Sequence, residues 1–146
     1  MTEAATPRPR ITFITLGVSS LERALAFYRD GLGFATSGIV GSGHEHGAVV
    51  FIQCEGGLKL ALWPLSSLAA ESGAEVSHSG RPNMSVAQNL GSEAEVDAVM
   101  ARAAAAGARI TGPARPTFYG GYAGYFQDPD GHLWELAFNP GFEALG

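Results

Sequence analysis

The sequence has few of the features that mark disulfide-rich, nucleic-acid-binding or membrane proteins. It contains one cysteine, Cys54, so no disulfide can form within the chain, and a lone thiol suits a reducing compartment. Nine Lys and Arg against 14 Asp and Glu give a net charge of −5, which disfavours nucleic acid or an anionic membrane as a partner. No apolar run has the length of a signal segment or spanning helix. We therefore expect a cytoplasmic protein whose partner is a small molecule.

What the sequence does contain is a globular composition and a repeat. Its 146 residues are 46% hydrophobic and 16% charged, which fits one domain with a buried core. Ser19 with Glu22, and Ser92 with Glu95, have the spacing of a helix-capping box, and they lie 73 positions apart. The same order of elements follows each pair, which favours two like modules over a generic α+β sandwich with coincidental caps.

Each half has the pattern strand, helix, then three strands. In the first half the strand candidate Ile11–Val18 is rich in β-branched residues, and the helix after Ser19 ends near Gly31 and Gly33. In the second half, Asp128-Pro129-Asp130-Gly131 is a strong turn signal before the last strand. The remaining strand candidates are 34–40, 48–54, 58–63, 83–90, 108–111, 117–127 and 132–138. These patterns predict two βαβββ modules.

The boundaries of these units follow from composition. A stretch rich in Ser, Gly and Ala separates the two halves, which is typical of a linker. We expect a flexible N-terminal tail at 1–9, a first module at 10–65, a linker at 66–81, a second module at 82–140 and a C-terminal tail at 141–146, all within one structural domain.

Two stretches carry a family resemblance. Ile14–Phe34, ITLGVSSLERALAFYRDGLGF, and Tyr125–Pro140, YFQDPDGHLWELAFNP, resemble the opening and closing segments of the vicinal oxygen chelate superfamily, which includes glyoxalases, bleomycin resistance proteins and extradiol dioxygenases. The resemblance implies an α+β fold in which each module's four-stranded mixed sheet curls into a cup around a ligand. It also implies a homodimer.

The resemblance implies four positions for metal ligands, two in each module. In this sequence they hold Phe13, Ala61, Ser85 and Glu135. Only Glu135 has the side chain of a strong ligand, and one carboxylate does not hold a catalytic divalent ion. We therefore expect no metal and no other cofactor, with a divalent metal in an unusual site as the alternative.

Strand alternation selects the residues expected to line the cup. Glu135 is the candidate catalytic residue, either as a general base or as a hydrogen-bond anchor, because a carboxylate facing an apolar cavity is desolvated. The predicted ligand-binding residues are Phe13, Thr15, Trp63, Ser85, Asn89, Tyr119, Tyr122, Tyr125 and Glu135.

Two histidines, His44 and His46, lie two positions apart in GSGHEHGA. Such a pair on one strand face would suit zinc or copper, but no third ligand has matching spacing, which favours a solvated or lid loop.

The sequence thus favours binding of a small organic ligand in a metal-independent, aromatic-lined cavity. The family's drug-sequestering members imply the same mode, as dimers that trap cationic molecules. The alternative is a lyase, isomerase or dioxygenase that uses Glu135 as metal ligand or general base. A third possibility is a structural module with a filled cup.

Overall fold

The two halves of the chain form two mixed four-stranded sheets in the computed structural model, which describes residues 6–141. The predicted tails at 1–9 and 141–146 fall largely on residues 1–5 and 142–146, outside the described range. The elements are β1 (Phe13–Val18), α1 (Leu21–Leu25, continued by a π-helical segment, Ala26–Gly31), β2 (Thr36–Val40), β3 (Val49–Gln53), β4 (Lys59–Pro64), α2 (Leu65–Ser72), β5 (Ser85–Asn89), α3 (Glu93–Ala105), β6 (Arg109–Pro116), β7 (Tyr122–Gln127) and β8 (Leu133–Phe138).

The sheets have the same topology. Their strand orders are β1-β4-β3-β2 and β5-β8-β7-β6. In each sheet the first strand pairs in parallel with the last, and the other pairs are antiparallel. The prediction of an α+β fold built from two βαβββ modules is confirmed.

The helices α1 and α3 lie between the two sheets and share one hydrophobic core. Phe27, in the π-helical segment of the first module, has its ring centroid 6.1 Å from that of Phe126 in the second sheet. The ring centroids of Tyr28 and Trp134 are 5.8 Å apart and also join the two modules. The core residues of each sheet alternate along the strands, as expected for a sheet with one packed side. The opposite side of each sheet therefore faces outward.

One of the two predicted helix caps is shifted by one residue. The cap of α1 is Ser20, not Ser19, and its hydroxyl accepts from the backbone N–H three residues later. Ser19 instead donates its backbone N–H and its hydroxyl to Asp130 Oδ1, at 2.9 and 2.8 Å. Ser19 and Asp130 are 111 residues apart in sequence. The spacing of a capping box therefore does not reveal that Ser19 binds Asp130 and not the helix. The cap at Ser92, which accepts from the Glu95 N–H, is as predicted.

The stretch proposed as a linker contains a helix. α2 follows β4 directly and ends at Gly73, whose φ of 72° is a left-handed conformation that favours glycine. Its first residue, Leu65, packs against Gly17, where an added Cβ would lie 2.6 Å from Leu65 Cδ2. Packing on β1, not composition, stabilises this helix. No helix within residues 6–141 is long and apolar enough to cross a membrane.

Candidate functional site

The outward side of the first sheet carries a group of exposed aromatic rings. We call it the aromatic face, and it consists of Phe13, Thr15, Val49, Phe51, Ala61 and Trp63. Phe13 is 46% exposed and Phe51 36%, with ring centroids 5.7 Å apart. These side chains share one face because the register pairs Thr15 with Ala61 and Ala61 with Phe51. They line a depression of about 360 Å³.

A histidine that was expected in a solvated or lid loop also lines this face. His46 is half-buried, and its backbone carbonyl accepts a hydrogen bond of 3.0 Å from Trp63 Nε1. Its ring Nδ1 lies 3.2 Å from the Oγ of Ser67, a buried residue of α2. Sequence reasoning did not select His46 because a loop has no periodicity that assigns its residues to a face.

The outward side of the second sheet is more polar. Its centre is a hydrogen bond of 2.5 Å from the Tyr125 hydroxyl to Glu135 Oε2. This bond, with burial and the negative charge of the carboxylate, raises the pKa of Tyr125 to about 12, so that the phenol is protonated at neutral pH. Tyr119 and Arg115 lie beside the pair, and together these four side chains form what we call the tyrosine–glutamate face. It borders a depression of about 430 Å³.

Ser85 and Asn89, the two predicted ligand-binding residues of β5, lie beside the Tyr125–Glu135 pair. β5 runs parallel to β8 with Ala87 opposite Glu135, so Ser85 and Asn89 lie two positions to either side and on the same face. Asn89 Oδ1 accepts a hydrogen bond of 3.4 Å from Asn139 Nδ2.

Tyr122 is the predicted residue that lies apart from the others. It is three positions from Tyr125 on one strand, so the two side chains point to opposite faces. Its hydroxyl donates to Asp97 Oδ1 of α3 at 2.6 Å, on the helix side of the sheet. Sequence reasoning missed Arg115, because β6 extends to Pro116, beyond the strand expected at 108–111.

The predicted residues therefore form two groups. Phe13, Thr15 and Trp63 lie on the aromatic face, whereas Tyr125 and Glu135 lie on the tyrosine–glutamate face. The helix sides of both sheets pack into the shared core, so the two faces point away from each other within one chain. A single chain thus does not bring Phe13 and Trp63 together with Glu135.

Comparison with known proteins identifies the family. Residues 10–136 match the model of the Glyoxalase/Bleomycin resistance protein/Dioxygenase superfamily. The chain belongs to this superfamily. A comparison with curated protein sequences gives no significant match.

Several solved superfamily structures are similar to the chain. A glyoxalase-related enzyme from Fulvimarina pelagi is 37% identical, with 90% of this chain and 88% of that one covered and a TM-score of 0.77. A glyoxalase/bleomycin resistance protein/dioxygenase from Nocardioides is 29% identical, with coverage of 92% and 85% and a TM-score of 0.70. The fosfomycin resistance protein FosX from Listeria monocytogenes, solved as a mutant with Mn(II) and a dihydroxypropylphosphonic acid, is 25% identical, with coverage of 89% and 90% and a TM-score of 0.64.

The side chains at the four positions that the family resemblance assigns to metal ligands do not fit a divalent cation. Phe13 and Ala61 have no donor atom, and Ser85 offers only a neutral hydroxyl. Glu135 is the one carboxylate, and it already accepts a hydrogen bond from Tyr125. Within residues 6–141 no three His, Cys, Asp or Glu side chains are grouped closely enough to hold a metal ion. This donor set therefore does not support chemistry through a bound metal.

Proposed function

We propose that this superfamily member binds a small organic molecule, without a metal ion, in a cup formed between two copies of the chain. The aromatic face of one copy and the tyrosine–glutamate face of the other form the two walls. The observation that carries this proposal is that both faces are outward and expose large rings, with Phe13 46% and Tyr119 54% exposed. Grouped apolar surface of this kind marks an interaction site.

The make-up of the two faces supports an organic ligand. Small-molecule pockets are mostly apolar, with a few placed polar groups, and span roughly 300–1,000 Å³. The aromatic face supplies the apolar wall, and Tyr125 and Glu135 supply the polar groups. Depressions of about 360 and 430 Å³ are each large enough to take part of such a ligand.

Two-fold symmetry is compatible with the proposed pairing of faces. In a two-fold dimer, a contact from the first module of one copy to the second module of its partner occurs twice. One dimer would then hold two equivalent cups and cover the exposed rings of all four faces. This arrangement keeps the proposed modules, 10–65 and 82–140, as the units that pair.

The donor set supports metal independence. Pairing the faces in a dimer brings Phe13, Ala61 and His46 of one copy toward Ser85 and Glu135 of the other, so the shared cup contains one imidazole and one carboxylate. Typical catalytic sites for divalent ions have three or more protein ligands of the N, O or S type. Recognition of an organic molecule through aromatic rings and hydrogen bonds needs no metal-ligating side chains.

A thermal-shift screen tests the proposal. The panel contains Mn²⁺, Ni²⁺, Zn²⁺, Fe²⁺, aromatic acids and aromatic amines, each added to chelator-treated protein. We expect aromatic compounds to raise the melting temperature, because a ligand at 100 times its Kd stabilises the folded state by about 2.7 kcal/mol. In Glu135→Gln that shift should disappear while the ligand-free melting temperature stays the same. Stabilisation by a metal ion and by no organic compound would contradict the proposal.

Mixing two binding-deficient variants tests whether the cup is shared between copies. Trp63→Ala and Glu135→Gln each remove one wall, so each variant alone should lose binding of the compound found in the screen. After unfolding and refolding together in equal amounts, half of the dimers combine the two variants, and about a quarter of all cups have two intact walls. Recovery of about a quarter of the binding capacity is expected. No recovery, or a monomer in light scattering, would contradict a shared cup.

The second candidate is catalysis by the Tyr125–Glu135 pair. The short hydrogen bond couples a proton donor to a carboxylate, as in general acid–base catalysis. A lyase or isomerase activity of this kind would appear as turnover of a compound from the screen. Turnover that persists in chelator-treated protein and is lost in Tyr125→Phe separates this candidate from binding alone, whereas binding without turnover would contradict it.

A further inference from the structure

We propose that His46 is the ligand-recognition residue of the aromatic face, and that it donates a hydrogen bond from Nε2 to an acceptor oxygen on an aromatic ligand. The inference rests on the proposed function and adds a ligand class, namely aromatic compounds with a carboxylate, carbonyl or phenolate oxygen.

The loop that carries His46 is held tightly. Its two ends approach so closely that a Cβ added to Gly41 would lie 2.2 Å from Gly47 O, and one added to Gly47 would lie 2.3 Å from Gly41 O. Backbone hydrogen bonds from His44 N to Gly41 O and from Gly47 N to His44 O close it further. His46 is therefore held in place beside the aromatic face.

The backbone of His46 has a left-handed conformation. Its φ of 56° makes it the only non-glycine residue with positive φ within residues 6–141. Side chains with a Cβ rarely adopt this region, and such residues persist where surrounding contacts hold them, often at functional sites. Here the Trp63 indole N–H binds the His46 carbonyl, so a residue of the aromatic face fixes this backbone.

The hydrogen bond to Ser67 determines which ring nitrogen carries the proton. Ser67 is 5% exposed, and a buried hydroxyl needs an acceptor for its proton. Within the described residues, His46 Nδ1 is the hydrogen-bond partner of this hydroxyl. The hydroxyl therefore donates to Nδ1, and in the neutral ring the proton is on Nε2.

Nε2 is then a donor that the described residues leave unpaired. Its nearest charged neighbour is Glu45 Oε1, at 3.8 Å, which is beyond hydrogen-bond length, and Glu45 has a 90% exposed side chain. His46 lines the same depression as Phe13 and Trp63. An aromatic ligand lying on these rings satisfies Nε2 by presenting an acceptor oxygen.

Two-bond ¹H–¹⁵N spectra of histidine-labelled protein test the tautomer without any ligand. At alkaline pH we expect the His46 ring to show the Nε2–H pattern. In Ser67→Ala the ring should shift toward a mixture of tautomers. An Nδ1–H pattern in the unmodified protein would overturn the inference.

Binding of two matched probes tests the recognition role. 2-Naphthoate has acceptor oxygens, whereas 2-naphthylmethylammonium has the same ring and no acceptor. His46→Asn is the test variant, because Asn tolerates a left-handed backbone and lacks the imidazole. His44→Asn, in the exposed part of the same loop, is the control. His46→Asn should weaken 2-naphthoate about tenfold or more and change the amine by less than about twofold, whereas His44→Asn should change neither.

The outcomes separate this inference from the proposed function. Equal 2-naphthoate affinities of the unmodified protein and His46→Asn overturn the inference. Binding of the amine but not of 2-naphthoate also overturns it and leaves the cup standing. Failure of both probes, together with failure of the whole aromatic panel, removes the proposed function as well.

Discussion

Two tyrosine–carboxylate pairs of nearly identical geometry occur in different regions of the molecule. Tyr28 donates to Asp128 Oδ2 at 2.5 Å between the modules, and Tyr125 donates to Glu135 Oε2 at 2.5 Å on the outer side of the second sheet. The distance and chemistry are the same. The surroundings differ, and they determine what each pair can do.

The inner pair belongs to a closed network. Tyr28 is 1% exposed, and its hydroxyl also accepts a hydrogen bond from Trp134 Nε1 at 3.0 Å. The other oxygen of Asp128 accepts from the backbone N–H groups of Asp130 and His132, both at 2.9 Å. This network fixes the turn of the second module against the helix of the first. It leaves no group for a ligand, so its role is structural.

The outer pair has fewer partners. Glu135 accepts from Tyr125 and is half-buried beside a depression open to solvent. Solvent replaces lost hydrogen bonds at such a site, so the pair contributes little to stability and remains available to a ligand. The comparison shows that burial and the number of partners, not the pair itself, separate a structural from a candidate functional contact.

Removing the two carboxylates gives the largest expected contrast. Asp128→Ala leaves buried N–H groups and the Tyr28 hydroxyl without their acceptor, and should lower the free energy of unfolding by about 3–5 kcal/mol. Glu135→Ala should lower it by less than about 1 kcal/mol. Urea unfolding followed by circular dichroism measures both values. Similar losses for the two variants would show that the outer pair is also structural.

Removing the two hydroxyls gives a smaller contrast. Tyr28→Phe leaves Trp134 Nε1 and Asp128 Oδ2 each without a partner, and should lower the free energy of unfolding by about 1–3 kcal/mol. Tyr125→Phe is the matched control, with an expected loss of about 0.5 kcal/mol or less. The same unfolding experiment applies, and a larger loss for Tyr125→Phe would reverse the assignment of roles.

The third expected contrast is a dependence on alkaline pH. Burial and the nearby Asp128 charge raise the pKa of Tyr28 well above its usual value, and the bond to Glu135 raises the pKa of Tyr125 to about 12. Below pH about 10 both tyrosines are protonated in the folded and the unfolded chain, so their contribution to stability is complete. Above it the unfolded chain releases its protons first, and stability falls as pH rises through the folded pKa values.

Near-ultraviolet absorbance of tyrosinate measures this titration. Tyr125 should ionise reversibly near pH 12, whereas Tyr28 should ionise only together with unfolding. Tyr28→Phe should remove the component that coincides with unfolding. Ionisation of Tyr28 in the folded protein at the usual pH for a phenol would contradict the buried network.

Local pattern predicted much of the fold. Capping at Ser92, the Asp128–Gly131 turn and strand alternation depend on neighbours within a few residues, so they can be found in the sequence. Ser19 was assigned the wrong role because its partner, Asp130, is distant in sequence. The helix α2 was missed because its stability comes from packing on β1, whereas its Ser-rich composition is typical of a linker.

The candidate site was predictable only in part. Alternation places Phe13, Trp63 and Glu135 correctly on the outer sides of their strands, because side chains of a strand point to opposite faces in turn. Strand alternation does not predict which outer faces come together to form a cup. His46 lies on the aromatic face because of the conformation of its loop, and Arg115 lies on the tyrosine–glutamate face because β6 is longer than expected. The sequence pattern encodes neither feature.

The sequence by itself determined the two βαβββ modules and the superfamily, since these depend on local periodicity and residue chemistry. Only the tertiary structure decided that α1 and α3 lie between the sheets and that the aromatic and tyrosine–glutamate faces point outward in opposite directions. The physical reason is that the relative placement of the modules depends on contacts between distant residues, such as Tyr28 with Asp128 and Phe27 with Phe126.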